Sequence, residues 1–278
     1  MYARVAEVSV EKYTESTVAQ RNDVVALEEP LEIVLLAYQK RAPVRIPVAI
    51  TMRTPGDDKH LSLGLLFAEG IISSMDDVTR VEEAAANTRD KPFTTAITVY
   101  LKDHVPVDPA SFARQFPSTS SCGICGRLEL PDIRTRESSQ AGPSVKTSLL
   151  YTLPAKARQR QTLFQHTGGI HSAALFDSEG NLMMVAEDIG RHNALDKLIG
   201  RALVNGTLLS DAMLLLSGRV SYELMQKAIA ARIRCVFAIG APSSLAVELA
   251  CTYDVTLIGF LKENRFNVYA GKQRILPT

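Results

Sequence analysis

No apolar run in the 278-residue sequence approaches the roughly 18 residues of a membrane-spanning helix; the longest are short stretches such as residues 212–216. Charge of one sign is lacking too. Lysine plus arginine number 31 against 30 acids, a formal net charge of +1, so nothing attracts the chain to nucleic acid or an anionic membrane irrespective of sequence. The N-terminal stretch carries acids where a secretory signal needs a basic start and an apolar core, and a cytoplasmic location is expected. Cysteine is scarce at four, which argues against a disulfide framework and turns attention to redox, metal or nucleophilic chemistry. The glycine-rich fingerprints of dinucleotide-binding and P-loop proteins are both absent. What remains, 46% hydrophobic and 22% charged residues, is the composition of an ordinary globular protein of one large domain or two.

Residues 44–52 alternate apolar Val44, Ile46, Val48, Ile50 and Met52 with other residues, the period of a strand burying one face. Pro47 makes it an edge strand or a bulged one. Thr54-Pro55-Gly56-Asp57 reads as an N-cap, a first-turn proline and a first-turn acid, opening a helix that Gly70 stops. Strands are expected over 5–13, 31–38 and 93–101, so the first part is an α+β unit. Residues 116–126 and 131–148 lack any period and place a boundary there. After Tyr151 strands and helices alternate: a helix over 154–165, a hairpin over 173–187, and then helix, strand, helix, strand, helix and strand through residue 261. The expected class is α/β with a largely parallel sheet, and ligands at the strand ends where helices begin. The organisation is a 1–116 α+β domain, a 117–148 loop and linker, and a 149–278 α/β domain.

Cys122-Gly123-Ile124-Cys125 falls in the loop. Two thiols at this spacing can close a disulfide, supply half a zinc site or display a nucleophilic thiolate. A zinc site needs two further ligands, whereas Cys235 and Cys251 stand singly in an expected strand and helix and read as core residues. A thioredoxin-like pair belongs between a strand and a long helix, not in a serine- and glycine-rich loop. Glycines beside the thiols, with Arg127 nearby, suit a lowered pKa and a thiolate that attacks or carries sulfur, the alternative being two ordinary loop cysteines. His171, Asp188, His192 and Arg219 sit at strand–helix junctions, as structural groups or as lining of a site. Helix starts near Gly190, Ser221 and Ser243 suit an anion. Phe260, Leu261, Lys262, Glu263, Asn264 and Arg265 leave an apolar strand with cations for phosphates and an aromatic for a base, or form a solvated turn.

Several motifs in one order resemble the formate dehydrogenase accessory sulfurtransferase family, FdhD/NarQ. They are LGLLFAEGII at 63–72, the Cys-Gly-Ile-Cys-Gly loop, TGGIHSAA at 167–174, EDIGRHNALDK at 187–197, SGRVSYE at 217–223, APSSLA at 241–246 and GFLKENRFNVY at 259–269. The resemblance implies a protein that accepts sulfur from a cysteine desulfurase as a persulfide. It passes the sulfur to the molybdenum cofactor in its bis-guanine-dinucleotide form, needed by formate dehydrogenase. Cys122 matches the persulfide position and Cys125 the second loop cysteine. Phe260 to Arg265 match the segment that binds the guanine nucleotide portion, with a departure at Glu263-Asn264, where relatives often carry glycine or proline. The resemblance further implies a cytidine-deaminase-like C-terminal α/β domain with a smaller N-terminal α+β domain, a homodimer, no permanent prosthetic group and no metal. The deaminase His-x-Glu is missing, since Ser172 and Ala173 follow His171. A cofactor-binding chaperone that handles no sulfur is the alternative.

Overall fold

The computed structural model describes residues 4–39, 42–85, 95–107 and 142–278. Cys122 and Cys125, and the expected linker up to residue 141, lie outside the described residues.

The chain opens with an antiparallel ribbon, β1 (Val5–Tyr13) and β2 (Val18–Ala26), turned through Thr14 and Thr17. The pattern of the sequence does not announce β2, because Gln20-Arg21-Asn22-Asp23 interrupts any alternation. Next come β3 (Glu29–Gln39), β4 (Ala42–Arg53), helix α1 (Asp58–Ala68), β5 (Val78–Ala85) and β6 (Thr95–Leu101). They form a four-stranded sheet in the order β4-β3-β6-β5, with β3 and β6 parallel and the other pairs antiparallel. Leu61, Leu63 and Leu66 of α1 pack on Ile33, Leu35 and Val99 of the sheet.

Pro47 lies on an edge strand and also at a bulge: Ala49 pairs with Ile33 and Pro47 with Val34, leaving Val48 as an extra residue. One extra residue reverses the side-chain phase of everything beyond it. Ile46 and Val48 are buried as the alternation predicts, but Ile50 and Met52 turn to solvent and Arg53 turns inward, 1% exposed. Thr54 does not cap α1, which begins at Asp58 after Asp57 in the left-handed conformation. Its polar groups are engaged elsewhere, as described below. The stop at Gly70 holds: at φ 70° its N–H bonds to the Phe67 carbonyl and that of Ile71 to Leu66.

The remainder runs β7 (Val145–Lys146), α2 (Thr147–Leu150), α3 (Leu153–Arg160), α4 (Thr162–Thr167), β8 (His171–Phe176), β9 (Leu182–Asp188), α5 (Arg191–Val204), β10 (Met213–Leu216), α6 (Tyr222–Ala230), β11 (Cys235–Ala238), α7 (Ser244–Thr252), β12 (Thr256–Gly259), β13 (Asn267–Ala270) and β14 (Ile275–Leu276). The main sheet has the order β13-β12-β11-β10-β8-β9. It is mixed, not largely parallel: β10, β11 and β12 are parallel, while β8 runs antiparallel to both β9 and β10, and β13 antiparallel to β12. Both faces are covered. Leu214, Val236 and Leu257 face α5, α6 and α7, whereas Leu215, Phe237 and Ile258 face Leu150, Leu153 and Ala157 of α2 and α3. The helix expected over 154–165 is two, broken at Gln161, whose buried amide donates to Ser172 Oγ at 2.7 Å. Cys235 is buried as expected, but Cys251 is exposed because it lies on the solvent side of α7.

The two sheets meet where α1 crosses α5. A Cβ on Gly64 would lie 1.9 Å from the Asp196 carbonyl oxygen, and one on Gly200 1.8 Å from that of His60. Only glycine permits backbones this close.

Candidate functional site

A cavity of about 1020 Å³ opens at the carboxyl ends of the three parallel strands, where helices leave an α/β sheet and ligands commonly bind. Its floor is Leu215 and Ser217 at the end of β10, Ile239 after β11 and Leu261 after β12. The segment 168–172 leading into β8, and Ile189 after β9, form one wall; Ala157, Arg158, Gln161 and Phe164 of α3 and α4 form another; Lys262, Glu263 and Asn264 close a third. Backbone bonds continue past the strand ends: Ile239 to Leu216, Phe260 to Gly240 and Leu261 to Ala238, at 2.9–3.0 Å, which makes the floor rigid.

Of the residues expected to bind the cofactor, Leu261, Lys262, Glu263 and Asn264 line this cavity. Phe260 and Arg265 flank it without lining it. Phe260 is exposed at φ 54°, and the Arg265 carbonyl accepts the Lys262 N–H at 2.9 Å, so a tight turn holds the segment. The three helix starts read as anion sites are not in the lining. The Gly190 N–H is taken by Asp188 Oδ1 at 2.8 Å, Ser243 Oγ accepts from Ala246 N–H, and Ser221 Oγ pairs with His192 Nε2 at 3.3 Å.

His171 lines the cavity, half-buried, and burial, followed by the positive charge of Arg191, holds its imidazole below the ordinary pKa, against the pull of Asp188. It presents a neutral ring at neutral pH. Arg219 is exposed outside the lining, and His192 is buried beside Ser221 and Glu223. Asp188 is structural. Fully buried, it accepts from the Lys197 ammonium at 2.7 Å and from the Thr54 N–H at 3.2 Å, while Thr54 Oγ1 accepts from Ile189 N–H and the Thr54 carbonyl from Lys197. The Thr54 and Asp188 motifs thus bind each other across the two sheets. Burial pushes the Cys235 thiol up to about 11, an inert group.

Sequence reasoning does not single out Arg158, Gln161 or Phe164, and it meets Ser172 and Ser217 only as members of the 167–174 and 217–223 motifs. Arg158 stands on a helix whose exposed face reads as ordinary solvated charge. Glu187, the first residue of the 187–197 motif, holds this wall: its buried carboxylate accepts the N–H groups of Leu163 and Phe164 at 3.0 and 2.8 Å and so fixes α4 against the sheet. Among the described residues no cluster of three metal-ligating side chains occurs, and no helix is long and apolar enough to cross a membrane.

An apolar floor, a few convergent polar groups and a position at the carboxyl ends of parallel strands make this cavity the candidate ligand site of an α/β fold with a smaller α+β lobe attached. The chain belongs to the FdhD/NarQ family, whose model matches residues 26–276. It is 44% identical over 267 residues to the sulfur carrier protein FdhD of Streptomyces avermitilis, covering 94% of this chain and 92% of the relative. The sulfur carrier protein FdhD of Sulfurisphaera tokodaii is 39% identical over 274 residues, covering 98% and 100%. A crystal structure described as a formate dehydrogenase accessory protein, from Desulfotalea psychrophila, matches with a TM-score of 0.73 at 21% identity, covering 99% and 100% of the two chains, and shows the same fold.

Proposed function

We propose that this protein is a sulfur carrier serving formate dehydrogenase. Cys122 accepts sulfur from a cysteine desulfurase, and the protein delivers it to a molybdenum bis-guanine-dinucleotide cofactor held at the strand-end cavity. The observation that supports this most strongly is the 44% identity, across nearly the whole chain, to a relative named as a sulfur carrier. In the loading step the Cys122 thiolate attacks the terminal sulfur of the donor's persulfide. That S–S bond breaks, the donor leaves as a thiolate, and Cys122 keeps the sulfane sulfur as a persulfide. Cys125 assists or protects it.

The cofactor is the cargo, and the cavity suits its nucleotide end. Its volume of about 1020 Å³ is at the large end of the usual ligand range, and Arg158 and Lys262 supply positive charge. The Glu263 carboxylate and the Asn264 amide offer hydrogen bonds to a purine edge.

The test is non-reducing intact-mass analysis after incubation with a cysteine desulfurase and cysteine. Wild type gains the mass of one sulfur, Cys122→Ala gains none, and Cys125→Ala keeps the site. No gain on a folded, desulfurase-binding wild type would favour the chaperone reading, in which the cofactor is sheltered and docked without sulfur transfer.

A further inference from the structure

The helical wall of the cavity carries a pairing that the fold itself does not require. The Arg158 guanidinium carbon lies 4.2 Å from the centroid of the Phe164 ring, and both side chains line the cavity. Stacking occupies one face of the guanidinium and leaves its N–H edge unspent. Among the described residues Arg158 has no carboxylate partner and its side chain donates no hydrogen bond. A guanidinium already seated over a ring loses less side-chain freedom when an oxyanion arrives.

The rest of the lining leaves a diphosphate under-compensated. Lys262 is the other cation and Glu263 opposes it. The neutral His171 ring adds a hydrogen bond but no charge. We propose that Arg158 is a substrate-binding residue that takes the phosphate portion of a nucleoside diphosphate in this cavity, with Phe164 as the platform that positions it. The inference rests on the cavity's reading as a guanine nucleotide site. Gln161 supports the arrangement by tying the α3–α4 break to Ser172, and the Gln165 amide donates to the Arg158 carbonyl at 3.0 Å.

The experiment is calorimetric titration of the full chain with GDP and, separately, with guanosine, which lacks the phosphates. Wild type, Arg158→Ala, Arg158→Lys and Phe164→Leu are compared, with Arg160→Ala, an exposed neighbour outside the lining, as control. Arg158→Ala weakens GDP binding about tenfold or more and leaves guanosine unchanged. Arg158→Lys recovers part of the loss, Phe164→Leu gives a smaller GDP-specific loss, and Arg160→Ala changes neither ligand. Wild-type GDP affinity in Arg158→Ala, or equal losses for the two ligands, overturns the proposal and leaves the nucleotide reading standing. A wild type that binds neither ligand overturns both. Thermal melts check folding; should Arg158→Ala melt early, Arg158→Lys and Phe164→Leu decide the outcome by the same GDP-against-guanosine difference.

Discussion

Lys197 has no solvent exposure, yet its ammonium is placed 2.7 Å from Asp188 Oδ2 and 2.8 Å from the Thr54 carbonyl. Burial drives its pKa down while the Asp188 carboxylate draws it up. A buried charge is tolerated only when its partners replace water, and here each partner is itself fixed: Asp188 also accepts from the backbone of Thr54 and Gly190 and from the Asn193 amide. Replacing Lys197 with methionine keeps the volume and strands Asp188 without a counter-charge. Urea denaturation of Lys197→Met is expected to show a loss of about 3–5 kcal/mol, a stability effect with no direct effect on cavity chemistry. Arg53 is held in the same manner, bidentate to Asp58 at 2.9 and 2.8 Å with both side chains buried. The LDK end of the 187–197 motif is therefore a structural clamp, while His171, from the 167–174 motif, faces the cavity.

Elements meet closely where the sequence puts glycine on helices. Gly64 and Gly200 let α1 and α5 approach until a Cβ on either would overlap the other's backbone. Helix propensity alone disfavours both positions, by about 1 kcal/mol each relative to alanine. Gly64→Ala would gain that local term and still destabilise the protein, because a methyl group placed 1.9 Å from a carbonyl oxygen forces the helices apart. A net loss of about 2–3 kcal/mol in thermal or urea unfolding is the expected result. A stabilised Gly64→Ala would show that the crossing is looser than described.

On the scale of the whole molecule, charge at the junction ties stability to pH. Asp57 precedes α1 and its carboxylate meets Arg201 of α5 at 2.9 Å. The hydrogen bond from His60, with Arg201 behind it, holds the Asp57 carboxyl well below the usual range although partial burial pulls the other way. A depressed folded-state pKa contributes stability that is full above the unfolded value of about 3.9 and is lost as pH falls below it. Wild type should therefore lose stability more steeply than Asp57→Asn between about pH 5 and pH 2, as read from melting temperatures across that range. With Lys197, Asp188 and Thr54 joining the same two sheets, the two lobes are expected to melt in one transition above pH 5.

Local pattern was enough for β8 to β12, for α5 to α7 and for Gly70 as a stop, since these depend on neighbours within a few residues, but β13 and β14 were not announced. The proline in β4 announced a bulge or an edge, and both are present. The consequence was not legible: a single extra residue moved Ile50 and Met52 outward and brought Arg53 to Asp58. Likewise Thr54 has the chemistry of an N-cap, but Asp188, 134 residues away, claims its N–H. Residues 261–264 were marked by the family resemblance, since their own pattern fits a solvated turn equally well; Arg158 and Phe164 could not be chosen, because only the folded chain lays α3 and α4 along the same opening. The sequence by itself determined the order of elements and the motifs that mark the family. Tertiary structure decided which charges clamp the lobes and which face the cavity, because both roles use the same residue types and differ only in what packs against them.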